Sequence, residues 1–74
     1  MTGKPRSAGF KELEIVRLAR DFHGPSGVIP RGTEATVLQV FGGGVAFQVE
    51  FDGPYDVPET VPADLLEARL ARSA

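Results

Sequence analysis

Val28-Ile-Pro-Arg-Gly-Thr-Glu-Ala-Thr-Val-Leu-Gln-Val-Phe-Gly-Gly-Gly-Val-Ala-Phe-Gln-Val-Glu-Phe-Asp52 reads as turn, strand, glycine turn, strand. Val45, Phe47, Val49 and Phe51 alternate with Ala46, Gln48, Glu50 and Asp52. A period of two over that length is the signature of a strand with one face buried. The strand before it runs from Glu34 to Phe41, with Ala35, Val37, Gln39 and Phe41 on one face and Thr36, Leu38 and Val40 on the other. A bulge near Leu38 or Gln39 brings Val37 and Val40 to the same side. Gly42-Gly-Gly44 closes the hairpin, because adjacent glycines reach positive φ without a Cβ penalty. In Pro30-Arg-Gly-Thr33, Pro30 presets φ at the second turn position and Gly32 takes positive φ at the third, a type II turn. This hairpin makes the fold small, antiparallel and all-β.

Outward from the hairpin, the pattern weakens. Leu13 to Arg20 forms a first strand, with Val16 and Leu18 on one face and Leu13 and Ile15 on the other. Asp21-Phe-His-Gly-Pro-Ser-Gly27 is a loop by composition. Beyond the Asp52-Gly-Pro-Tyr-Asp56 turn, a short strand spans Val57 to Val61, and Pro58, which lacks an amide donor, makes it an edge or irregular strand. Pro62 to Arg72 has helical texture: acids early, arginines late, Leu66 and Leu70 stacked at i, i+4. It predicts a 3₁₀ turn over Ala63 to Leu66 at least, and at most a short α-helix. The 74 residues therefore divide into a disordered arm over 1–10, a β-domain over 11–67 and a helical extension or tail over 68–74.

Composition excludes several chemistries. With no cysteine and one histidine, the chain has neither a thiolate nucleophile nor a structural zinc set. The opening residues lack the apolar run of a signal peptide, and no stretch approaches the roughly 20 apolar residues of a membrane helix, so the expected compartment is the cytoplasm. The net charge of −2 conceals an asymmetry: between residues 12 and 67, ten acids face three bases, Arg17, Arg20 and Arg31. A nucleic-acid binder presents the opposite, a basic folded face. An acidic fold favours a basic protein partner, although solubility alone also accounts for surface acids.

Four or five strands with a terminal helical turn read as an SH3-like barrel. The residues Val16-Arg-Leu18, Pro30-x-Gly-Thr33, Thr36-Val37, Val49-Glu-Phe51 and Ala63-Asp-Leu65 resemble a group of small bacterial SH3-like proteins of unknown function, over about residues 12–67. The likeness to KOW-type domains is more distant, since Ala35 stands where those carry a glycine before the Thr-Val pair. The resemblance implies a stand-alone interaction protein, in some relatives an antitoxin or immunity partner.

No motif places catalytic residues, a metal or a cofactor. Asp21 with His23 suggests a general base and its orienter, but no nucleophile accompanies them. Glu50 and Asp52 share a strand face about 7 Å apart, without a cleft around them. Asp52, Asp56 and Glu59 follow no calcium-loop spacing. The expected function is therefore non-enzymatic protein binding. Phe22, Tyr55, Asp52, Asp56 and Glu59 are the candidate partner-binding residues, with His23 and Phe41 as possible neighbours. The alternative is a KOW- or Tudor-like nucleic-acid module, which requires Lys11, Arg17, Arg20 and Arg31 to converge.

Overall fold

The computed structural model describes residues 9–25, 27–55 and 57–69. The architecture is all-β. Seven strands run in chain order: β1 (Ile15–Leu18), β2 (Phe22–Gly24), β3 (Gly27–Ile29), β4 (Glu34–Phe41), β5 (Ala46–Phe51), β6 (Glu59–Pro62) and, after a 3₁₀ turn at Ala63–Leu65, β7 (Leu66–Ala68). Five form an antiparallel sheet in the order β6-β5-β4-β1-β7, and β2 pairs with β3 alone.

The central hairpin follows the sequence closely. β5 buries Phe47, Val49 and Phe51 and leaves Glu50 exposed. The β4–β5 register slips between Val37 and Gln39, so Val37 lies opposite Val49 and Val40 opposite Phe47, both on the inner face. Gly42, Gly43 and Gly44 have φ of 59°, 74° and 114°, as the closing turn requires. β6 lies at a sheet edge, the position Pro58 and Pro62 favour, although it begins at Glu59 rather than Val57. Burying each large aliphatic or aromatic side chain of this core contributes about 1.5–3 kcal/mol.

Three expectations need correction. The Asp21–Gly27 segment is not simply a loop, because Phe22 pairs with Ile29 and His23 with Val28 in a short hairpin. Its strands are too brief for alternation to register in the sequence. Leu66–Ala68 is not helical. Its residues pair with β1, Leu66 opposite Leu18 and Ala68 opposite Val16, so Leu66 enters the core; Leu70, the stacking partner the sequence suggested, lies outside the described residues. One short helix has little stability of its own, and an unpaired β1 edge offers backbone bonds instead. In the Pro30 turn, the Thr33 amide donates to the Pro30 carbonyl at 3.1 Å, which makes Pro30 the first residue and not the second; Gly32, at φ 89°, is third as expected.

The first strand is also shorter than expected. Leu13 has a φ of 70°, the one non-glycine residue in the left-handed region among those described, and its side chain is 77% exposed. That conformation costs about 1–2 kcal/mol in a residue with a Cβ. It is held by paired backbone bonds to β4, from the Leu13 amide to the Val37 carbonyl at 2.7 Å and from the Val37 amide to the Glu14 carbonyl at 3.0 Å. Before it, Phe10 sets its ring 5.4 Å from that of Phe47 and packs on the core. Residues 1–8 of the expected arm lie outside the described residues.

The two edge strands of the sheet are consecutive in the chain. Laid flat, five strands put β6 and β7 about 19 Å apart. From Pro62 to Leu66 the chain reaches at most about 14 Å. The sheet must therefore curl. The 3₁₀ turn is fastened on both sides: the Ala63 amide donates to Val45 at 2.9 Å, and Ala19 donates to the Leu65 carbonyl at 2.8 Å.

Candidate functional site

β6 begins opposite Val49, so β5 runs two residues past its edge partner. Phe51 at the end of β5 retains β4 on one side, where Ala35 lies opposite, and needs cover from elsewhere on the other. Two aromatic rings supply it. Phe22 of β2 stacks at 6.2 Å with an interplanar angle of 29°, and Tyr55 meets Phe51 edge-on at 6.3 Å and 72°. Such offset-stacked and edge-to-face pairs are the favoured aromatic geometries. Phe51 is 3% exposed, while Phe22 and Tyr55 are half-buried. Each covering ring packs on the core with part of its surface in water.

Glycine backbone makes room for the Phe22 ring and shapes the turn before Tyr55. A Cβ at Gly24 would come within 2.7 Å of the Phe22 Cε2, so the ring occupies the space a side chain there would need. A Cβ at Gly53 would stand 3.7 Å from the Tyr55 Cε2, and the φ of 106° at Gly53 excludes most other residues. Next to Phe51 in the chain, the Asp52 amide donates to the Glu34 carbonyl at 2.9 Å, and the residue is exposed.

The candidate residues divide. Phe22 and Tyr55 both meet Phe51 at the end of β5, and Asp52, the next residue in the chain, is exposed. Glu59 is buried, opposite Val49 on the inner face, and is not part of an exposed rim. Asp56 lies outside the described residues. Phe41 stands opposite Ala46 at the glycine-turn end of the hairpin, away from Phe51. His23 is exposed on β2, and the Asp21 carboxylate accepts the Arg31 backbone amide at 2.8 Å, a turn-bracing bond. Among the described residues no group of three histidine, aspartate or glutamate side chains is arranged to hold a metal. No described helix is long and apolar enough to cross a membrane.

Two of the candidate basic residues, Arg17 and Arg20, are placed as struts. Arg17 donates from Nε to the Glu67 carboxylate at 2.6 Å, linking β1 to β7. Arg20 donates to the Asp64 carbonyl at 3.3 Å and lies 3.9 Å from its carboxylate. Arg31 is exposed in the Pro30 turn, and Lys11 sits before Leu13, where its amide donates to the Glu14 carboxylate at 3.0 Å. The Arg17–Glu67 pair and the Phe10 packing both escaped the sequence reading; a lone aromatic in a polar stretch was the one available signal for the latter.

No family model, curated protein or solved structure matches the chain.

Proposed function

We propose that this chain is a non-enzymatic protein-interaction module that binds a basic protein partner through the Phe22–Phe51–Tyr55 end of its sheet. The observation carrying the proposal is the pair of half-exposed rings converging on Phe51, the residue before the exposed Asp52. Rigid aromatic surface with an acidic rim suits an arginine- or lysine-bearing segment, which gains ring contact and charge pairing together. The strongly curled sheet, bridged edge to edge by the 3₁₀ turn, supports an SH3-like barrel. Neutralisation of a basic toxin-like or effector-like partner is the sharpest form of the proposal.

The KOW- or Tudor-like nucleic-acid alternative has less support, since Arg17 and Arg20 face carboxylates. The test is capture from a host lysate with wild type and a Tyr55→Ala/Asp52→Ala variant, with and without nuclease. One protein retained by wild type, resistant to nuclease and lost in the variant is the expected result. Capture that disappears with nuclease overturns the reading in favour of nucleic acid.

A further inference from the structure

A second surface lies on the outer face of the sheet, around the β4 bulge. Leu13, in the turn before β1, is 77% exposed, and Ile15, at the start of β1, is 38% exposed. Leu38, the extra residue of the bulge, is half-buried but does not belong to the core cluster. Leu13 N–H bonds to Val37, the residue just before Leu38, and Ile15 stands opposite Thr36, so the three residues lie on neighbouring stretches of backbone.

This patch has an unusual backbone. Leu13 holds a left-handed φ and buries little in return. Folding alone would favour glycine or asparagine at that position. An exposed leucine where the backbone disfavours it points to a use outside the fold.

The surrounding charge defines the partner. Ile15 stands opposite Thr36, and Thr36 opposite the exposed Glu50. Glu12 is exposed beside Leu13, and Glu14, whose carboxylate accepts the Lys11 amide, lies between the two aliphatics; of the nearby bases, Arg17 on the Ile15 face is paired with Glu67, and Lys11 precedes Glu12. A second copy of this chain would bring its own acidic rim against this one. A basic amphipathic segment would meet both the aliphatic centre and the acidic border.

We propose that Leu13, Ile15 and Leu38 form a docking surface for a basic amphipathic segment of another protein. This surface lies on the opposite side of the sheet from the core-capping aromatic rings and does not depend on them. The test is titration of ¹⁵N-labelled full chain with an amphipathic peptide of leucine and lysine only, near physiological salt. A matched peptide with serine for leucine serves as the control. Expected are amide shifts centred on residues 12–15 and 36–39, and affinity weakened roughly tenfold in Leu13→Gly. The melting temperature of Leu13→Gly should not fall, because glycine relieves the backbone. Shifts centred on Phe22 and Tyr55, equal binding of the serine peptide, or unchanged affinity in Leu13→Gly would each overturn the proposal. So would stable dimers in sedimentation that Leu13→Gly dissolves, since they would make a second copy the occupant.

Discussion

Phe47 and Phe51 stand on the same face of β5, four residues apart, but the structure completes their cover differently. Phe47 has a strand on each side, with Val40 opposite on β4 and Val61 opposite on β6, and Phe10 closes over it. Phe51 lies where β6 has not yet begun, so two rings, Phe22 of β2 and Tyr55 beyond β5, must substitute for a strand. A sheet that runs out leaves an end that only side chains can seal, and side chains that seal an edge remain partly in water. The end with incomplete backbone cover is the end we propose for recognition.

The largest effect should come from the fully enclosed ring. Phe47→Ala should cost about 3–5 kcal/mol, enough to unfold a domain this small, as seen in far-UV circular dichroism and urea titration. Phe51→Ala should fall at the lower end of that range, about 3 kcal/mol, because Phe22 and Tyr55 can settle inward. A Phe51→Ala loss equal to or above that of Phe47→Ala would break the contrast between the two ends.

Phe10→Ala should lower stability by about 1–2 kcal/mol, while removal of residues 1–9 should leave the unfolding midpoint nearly unchanged. If both changes were silent, the Phe47 end would need no cover beyond its strands. Tyr55→Ala should cost about 1 kcal/mol in denaturant titration and yet abolish partner capture. A variant that lost stability but kept full binding would move recognition away from this end. The smallest effect belongs to Arg17→Ala, below about 1 kcal/mol, because both partners of the Glu67 pair are partly exposed; the difference should shrink further in high salt.

The sequence made some of this legible for physical reasons. The β5 alternation, the bulge and the glycine turn are local constraints, set by period and by φ, and they can be read without knowing what packs on what. The 3₁₀ turn at Ala63–Leu65 and the edge position of β6 also follow from nearby prolines. β7 was illegible because its partner lies about fifty residues upstream; Leu-Glu-Ala is as good a helix as a strand until β1 offers it a ladder. The β2–β3 hairpin hid behind Gly24, Pro25 and Gly27, with two-residue apolar flanks too short to show a period. At the candidate site, the aromatic residues were visible but their convergence on Phe51 was not. Glu59 looked like a rim acid because its burial depends on a register that no local rule fixes. Nothing in the residue type marks Leu13 as left-handed.

The pairing of the last described strand with the first imposes an order on synthesis. As the chain leaves the ribosome, β4 and β5 can meet as soon as their hairpin has emerged, and β1 can join them. The outer edge of β1 then waits, its amides and carbonyls unpaired, until Leu66–Ala68 follows. During that interval the nascent chain exposes a strand edge to its neighbours. Completion requires closing a loop across most of the sequence, which places folding at the slow end of the range for small domains.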